Sequence, residues 1–463
     1  MASLFAKPRK TRKPAEKPSR LQKAPVAAEA LASTELGLLI QDLSHDGRGV
    51  TRDHTGKTLF VKGAVPQDRV LIGQRVEHAR YAEAELETLL APSPDRVTPL
   101  CRHFGTCGGC QLQHLSASAQ RVYKQQRLSH LLDFPASDWD APLYAEPWGY
   151  RRRARLGIKQ RKTGQWVIGF REAQSAQIHA ISECPVLQPP LSRLLSPLYE
   201  LLPQLEGGRH IGHIEWLSDA RQTLVILRWL RDLQRFSPAD AKRWNAWAEA
   251  QGVQVWLQTA EGQLHDLQGN AASPYLEEEV MGLSIHWTAA DFIQVNAQIN
   301  SRMVEQAIDW LALSGQERVL DCFCGVGNFS LPLAARAAQV VGIEGVQAQV
   351  ERARDNAQRL GLTQVEFYQA DLSQVHPSEA RWMQAHWDVV LLDPPRAGAA
   401  GLMPWLAQAC PARILYVSCD PATLARDAEA LKAAGYRIQR ASMIDMFPQT
   451  GHTETMVLFE HLV

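Results

Sequence analysis

Across residues 33 to about 92 the apolar positions fall in short β-rich runs, LGLLIQDLS, RGVTRD, KTLFVKG and DRVLIGQRVEHARYAEAELETLL. The turn signals HDGRG, HTGK and GAVPQD separate them. Several short strands in so brief a stretch predict a small barrel of OB type. Residues 93 to about 290 are mixed, with a high share of Trp and strand-like stretches such as IEWLSD, TLVILRWL and VQVWLQT. From residue 291 the pattern changes. RVLDCFCG, VVGIE, EFYQAD, WDVVLLD and ILYVSCD are short apolar runs, with helical patterns such as VQAQVERARDNAQRLG between them. That alternation predicts a parallel sheet with helices on both faces. The last two runs, YRIQRASMIDMFP and HTETMVLFEHL, follow one another without a helix and predict an antiparallel pair at the sheet's end.

Composition narrows the class. With 45% hydrophobic and 21% charged residues the chain is neither largely disordered nor collagen-like. No apolar run reaches about 18 residues, so no membrane span is expected. The basic N-terminus lacks the apolar stretch of a secretory signal. Eight Cys in 463 residues are too sparse for a disulfide scaffold, and a cytoplasmic protein with reduced thiols is expected. Lys+Arg and Asp+Glu are 49 each, so overall charge says nothing about a polyanionic partner. Its distribution does, because the first thirty residues hold eight Lys/Arg against two Glu. Residues 1–32 read as a disordered arm, serving as a solubilising tail or as a non-specific nucleic-acid contact. The expected organisation is therefore an arm (1–32), a barrel (33–92), a central unit (93–290) and a parallel-sheet unit (291–463).

The parallel-sheet unit carries most of the recognisable chemistry. Asp321-Cys-Phe-Cys-Gly-Val-Gly-Asn328 follows one strand and opens a helix, and its glycines let the backbone pass close to a ligand. Glu344 ends the next strand, where an acid can accept hydrogen bonds from two ribose hydroxyls, and Asp371 follows the third. Either acid could also be an ordinary strand-end residue. The absence of a third glycine and of a long phosphate loop favours S-adenosylmethionine over NAD. Asp393-Pro-Pro-Arg396-Ala-Gly398 follows strand four, with a loop stiffened by two prolines. Ser418-Cys419-Asp420-Pro421 follows strand five, and Gly451-His452-Thr453-Glu454 opens the last strand. Cys419 could be a nucleophile or a structural thiol. A thiolate, a base and a methyl donor together fit methylation of uracil C5. That carbon becomes nucleophilic only after a thiolate adds to C6. The site should then lower the thiol's usual pKa of about 8.5 or deprotonate it on binding.

Two constellations lie upstream. Cys101, Cys107 and Cys110, with Cys184 further on, form a set of four thiolates that suits either zinc or a [4Fe-4S] cluster. Residues 150–162 hold seven basic residues and no acid. With Trp148 and Trp166 beside them they read as an RNA-contact strand pair, or else as a solvated basic face.

These motifs resemble the RNA m5U methyltransferase family, and within it the bacterial 23S rRNA (uracil-C5)-methyltransferases. DCFCGVGNFSLPLA, DPPRAG, SCDPATLARD and the HTE acid carry the resemblance. So do CRHFGTCGGCQLQHL with Cys184-Pro-Val-Leu, and DGRGVTRDHTGKTLFVKGAVPQD, which looks like a TRAM domain. It spans nearly everything after the arm. It implies a Rossmann-like S-adenosylmethionine-dependent domain, an OB-like TRAM barrel and a mixed α+β central domain with a [4Fe-4S] cluster. Cys419 matches the family's nucleophile and Glu454 its base. Gln294, Phe323, Asn328, Glu344, Asp371 and Asp393 match contacts to the methyl donor. Cys101, Cys107, Cys110 and Cys184 match the cluster ligands. Two positions depart from the pattern: Cys322 stands where an apolar residue is usual, and Gln449 where His is common. The implied substrate is a uridine of 23S rRNA flipped out of its stack, and the implied enzyme is a monomer. Action on two rRNA sites or on tRNA is the nearest alternative. A non-catalytic ribosome-assembly factor and an oxidoreductase using the cluster are alternatives of another class.

Overall fold

The computed structural model describes residues 37–373 and 380–462. The basic arm of residues 1–32 lies outside them. The first sheet is built from β1 (Leu38–Leu39), β2 (Asp42–Leu43), β3 (Gly49–Arg52), β4 (Thr58–Lys62), β5 (Arg69–Glu77) and β6 (Tyr81–Ala91), in the order β1-β5-β6-β4-β3-β2. β1 and β2 are one bent run. Ile40 N–H donates to Asp68 on one side and Gln41 N–H to Val50 on the other. A single strand therefore pairs with both ends of the sheet and closes a five-stranded barrel, the strand number of an OB-type fold. Its interior is filled by alternate residues such as Ile40, Leu59, Val61, Val70 and Ala82.

Helix α1 (Ala117–Leu132) follows, its first turn capped by Ser116, which accepts from Ala119 N–H. The second sheet contains β7 (Arg153–Gln160), β8 (Trp166–Arg171), β9 (Ile178–Ala180), β10 (Ile211–Ser218), β11 (Thr223–Trp229), β12 (Gln254–Gln258) and β13 (Leu264–His265), ordered β13-β12-β11-β10-β7-β8-β9. Helices α2 (Pro189–Ser192), α3 (Leu195–Leu201) and α4 (Pro238–Gln251) share a core with it through Leu191, Leu198 and Trp244.

The basic run of residues 150–162 differs from the sequence expectation. Strand alternation turns Ala154, Leu156 and Ile158 into the core. Arg152 is buried and pairs with Glu278 at 2.6 Å. Arg153 binds Glu215 at 2.8 Å and the carbonyls of Asp291 and Ala289. Trp166 is a core residue. The acids that neutralise Arg152 and Arg153 lie 126 and 62 residues away, so the run looked uncompensated in the sequence. Arg155, Lys159, Arg161 and Lys162 remain exposed.

A hairpin, β14 (Leu276–Val280) and β15 (Leu283–Trp287), and helix α5 (Ala297–Leu311) lead into the third sheet. Five parallel strands, β16 (Arg318–Cys322), β17 (Gln339–Glu344), β18 (Val365–Gln369), β19 (Val389–Leu392) and β20 (Arg413–Ser418), are joined by β21 (Tyr436–Ile444) and β22 (Glu454–His461), which are antiparallel. The order is β18-β17-β16-β19-β20-β22-β21. Helices α6 (Ser330–Ala334), α7 (Gln347–Arg359), α8 (Arg381–Gln384), α9 (Met403–Ala409) and α10 (Pro421–Ala433) connect the strands. Both faces are covered: Val319 and Leu320, neighbours on β16, belong to different cores. Two segments from within 93–290 complete those cores. Leu128 and Leu132 of α1 pack into one, and Leu276, Val280, Ile285 and Trp287 of the hairpin into the other. Periodicity marks which face of an element is apolar but not which sheet it covers.

Candidate active site

The strand order of the third sheet reverses between β16 and β19, and ligands bind at the carboxyl ends of strands at such a point. β16 ends at Cys322, and the chain turns sharply. Phe323, Gly325 and Gly327 have φ of 66°, 56° and 98°, a region in which glycine is unstrained and Phe323 is not. The amides of Phe323 and Cys324 donate to Ile343, holding the turn against β17. Glu344 ends β17. Its two oxygens accept from Gly325 N–H (3.1 Å) and Val346 N–H (3.0 Å), with lone pairs left for a diol. Asp371 is exposed beyond β18. Ser373 donates to it through N–H and hydroxyl, which holds its carboxyl below the usual range. Asp393 follows β19, and burial pushes its carboxyl up to about 7.

Gln294, Phe323, Gly325, Glu344, Asp371 and Asp393 line one cavity of about 960 Å³. Asn328 is not among its lining residues. Its side-chain amide instead forms a reciprocal pair with Asn300 of α5, at 2.9 and 3.0 Å.

The same cavity reaches Cys419 and Glu454, which strand register brings together. β20 and β22 pair antiparallel with Ser418 opposite Thr455, so the next position in each direction sets Cys419 opposite Glu454. Glu454 is buried, and among the described residues its Oε2 has no hydrogen-bond partner. Burial, with the nearby Asp393 charge, pushes its carboxyl up to about 8, against a hydrogen bond with Gln294. Burial, with the Glu454 and Asp393 charges, pushes the Cys419 thiol up to about 11, while Arg396 works the other way. The sequence led us to expect a lowered thiol pKa or deprotonation on binding. The structure instead holds the thiol protonated, because burial and two nearby acids outweigh one guanidinium.

A family model described as tRNA (Uracil-5-)-methyltransferase matches residues 117–462. The chain belongs to this family. A 23S rRNA (uracil(1939)-C(5))-methyltransferase RlmD of Klebsiella pneumoniae subsp. pneumoniae is 45% identical over 91% of this chain and 94% of its own length. The enzyme of the same name from Salmonella typhimurium is 43% identical over 91% and 95%. The solved structure of Pyrococcus abyssi tRNA (uracil-54, C5)-methyltransferase, in complex with S-adenosyl-L-homocysteine, shares the fold. Its TM-score is 0.70 at 24% identity, over 91% of this chain and 99% of that one. The fold is thus that of an S-adenosylmethionine-dependent RNA uracil-C5 methyltransferase.

Other parts of this methyltransferase face the same region. Cys101, Cys107, Cys110 and Cys184 are all free thiols that line the 960 Å³ cavity. Burial, with the charges of the other three, pushes Cys110 up to about 12. Among the described residues no three His, Cys, Asp or Glu side chains are grouped so as to hold a metal ion. A second cleft, of about 1450 Å³, runs from the barrel turn His45–Arg48 past the Cys107 segment to Arg396, Cys419 and His452. Reasoning from residue patterns gave Arg396 and His452 no role, although both line the two cavities. The Arg of Asp-Pro-Pro-Arg was visible as a motif member, but its approach to Cys419 depends on two strands meeting in space.

Proposed function

We propose that the protein methylates C5 of a uridine in 23S rRNA, with Cys419 as nucleophile and Glu454 as base. The observation that carries this reading is the register of β20 against β22. It sets a half-buried thiol opposite a buried carboxylate with a free oxygen, at the end of the cavity lined by Glu344 and Asp393. S-adenosylmethionine would lie along that cavity, its ribose diol on Glu344 and its adenine towards Asp371. Gln294, Phe323 and Asp393 would lie along the methyl-bearing end.

The steps follow from the chemistry of uracil. As the substrate enters, the Cys419 thiol gives its proton to water and Sγ bonds to C6, opening the C5–C6 double bond to an enolate across C5 and O4. C5 attacks the methyl carbon, the sulfonium–methyl bond breaks, and S-adenosylhomocysteine leaves. Glu454 takes the C5 proton, the C5–C6 double bond re-forms, and Sγ departs as thiolate. A carboxyl poised near 8 is suited to that last proton. The target base reaches the thiol only by leaving its stack. The 1450 Å³ cleft supports the barrel's reading as a TRAM-type RNA-binding module, since one channel joins it to Cys419. Relatives that match over nine-tenths of the chain and are named for 23S rRNA favour rRNA over tRNA.

Cys101, Cys107, Cys110 and Cys184 would hold a [4Fe-4S] cluster. A donor set made only of thiols suits such a cluster, and all four line the 960 Å³ cavity. When bound, the cluster would tie residues 101–110 to Cys184, and no step of the methyl transfer passes through it.

The test is incubation of the anaerobically purified protein with unmethylated 23S rRNA and labelled S-adenosylmethionine, then mapping of 5-methyluridine by mass spectrometry. One modified uridine is expected. Two would make the enzyme dual-specific, and product on tRNA alone would overturn the substrate. No product on any RNA would overturn the reaction.

A further inference from the structure

The loop that carries the candidate base, residues 445–453 between β21 and β22, is held chiefly by other parts of the chain. Gln449 uses every main-chain polar group it has. Its carbonyl accepts from the amides of Gln111 and Leu112, which follow Cys110. Its N–H donates to Gln120 Oε1 of α1 at 3.0 Å, and its side-chain oxygen accepts from Gln120 Nε2 at 3.0 Å. Gln449 is buried with φ of 69°, an unfavourable conformation for a side chain of its kind unless its surroundings over-determine it. Further along α1, Lys124 binds Asp445 at 2.7 Å and the Phe447 carbonyl at 3.2 Å. Tyr150 donates to the Pro448 carbonyl.

Two residues on, the barrel makes contact. A Cβ on Gly451 would collide with the carbonyl oxygen of His45, in the turn between β2 and β3. Gly451 is absent from the residues with positive φ, so its need for glycine is one of space. The turn is itself stiff. Ser44 and Arg48 pair through backbone and hydroxyl, and Asp46 accepts from Arg48 Nε. On its other side Gly47 lies against the segment after Cys110, where a Cβ would be 2.6 Å from the Gln111 carbonyl oxygen. α1 joins the same assembly, since Tyr123 donates to the Leu43 carbonyl.

We infer that Gln449 and Gly451 are positioning residues through which the barrel and the segment after Cys110 set Glu454 for removal of the C5 proton. The inference rests on the reading of Glu454 as base. The barrel turn lines the RNA cleft on one side and touches the base-bearing loop on the other. The contacts that hold the loop before Glu454 are thus made in part by the same turn that lines this cleft. A displacement of about 1 Å at a reacting group can slow a step by about a hundredfold. The step affected here comes after the covalent bond has formed.

The experiment compares Gly451→Ala, Gln449→Ala and Glu454→Gln in the full-length protein, with unmethylated 23S rRNA and S-adenosylmethionine. It reads the covalent protein–RNA adduct on denaturing gels, the turnover rate, methyl-donor affinity by calorimetry and thermal melting. Glu454→Gln should accumulate adduct; if it does not, the reading of Glu454 as base fails. If it does, Gly451→Ala and Gln449→Ala should also accumulate adduct and turn over roughly tenfold to a hundredfold more slowly, with donor affinity unchanged. Adduct at the wild-type level in both variants, or a parallel loss of adduct formation as in Cys419→Ala, would overturn the inference. So would loss of the melting transition in both, since the two residues would then serve only folding.

Discussion

Opposing demands meet on Cys419 and Glu454. Burial keeps both neutral at rest, and the proposed reaction needs both to lose a proton. A base whose pKa is pushed up to about 8 is protonated below that value, so kcat should rise as pH rises through about 8. A rate profile flat from pH 6 to 9 would count against Glu454 as the base. The same shift has a stability consequence of opposite sign. A carboxyl raised in the folded state favours folding while protonated, and that contribution is lost as pH rises through about 8. Glu454→Gln should therefore melt above the wild type at alkaline pH and lose that advantage near pH 4. Glu344 serves a different function. Glu344→Ala removes the acceptor for two backbone N–H groups and for a ribose diol, and charge-assisted hydrogen bonds contribute about 1.5–3 kcal/mol each. Its KM for S-adenosylmethionine should rise about tenfold or more, with adduct formation at saturating donor little changed.

At the scale of elements, β7 shows how a strand's two faces divide its work. Its inward residues belong to the central core, while Arg152, just before it, reaches Glu278 of the hairpin and the Gln294 carbonyl. Asn300 of α5 binds the other oxygen of Glu278 and pairs with Asn328 beside the glycine turn. One buried network thus joins Arg152 beside the central sheet, the hairpin, α5 and the glycine turn. Arg152→Met would leave Glu278 buried and unpaired, a change that destabilises by about 3–5 kcal/mol. The melting temperature should fall by several degrees, and a shift within the error of measurement would show the pair to be dispensable. The glycine turn, the acids at strand ends and Cys419 were all legible in the sequence, because each follows an apolar run at a fixed offset. The internal use of Arg152 and Arg153 was not, because a strand's register and its distant acids leave no local mark.

At the scale of the whole molecule, the 1450 Å³ cleft is bordered by regions distant in sequence, among them the barrel turn, the Cys107 segment, the loop after β8 and the loops after β19, β20 and β21. Arg171, exposed at the end of β8, lines it. Arg171→Ala should weaken binding of all RNA sequences alike and reduce the slope of log affinity against log salt by about one. Unchanged salt dependence would remove Arg171 from the RNA path. The barrel touches the loop before Glu454 as well as bordering the cleft, since its β2–β3 turn fills the space left by Gly451.

The sequence by itself determined the parallel sheet with its antiparallel end, the barrel, the glycine turn after β16 and the acids and thiol at strand ends. Each is written in local periodicity or in residue type at a strand end, where a few neighbouring positions set backbone conformation. Tertiary structure alone decided which arginines are free, that the Cys419 thiol is protonated at rest, and that Asn328 turns to Asn300. It also decided that the loop before Glu454 is held by the barrel and α1. Those outcomes depend on burial and on contacts between residues as far apart as Gln120 and Gln449, 329 positions along the chain. Desolvation and long-range packing act through space, and no window of sequence contains them.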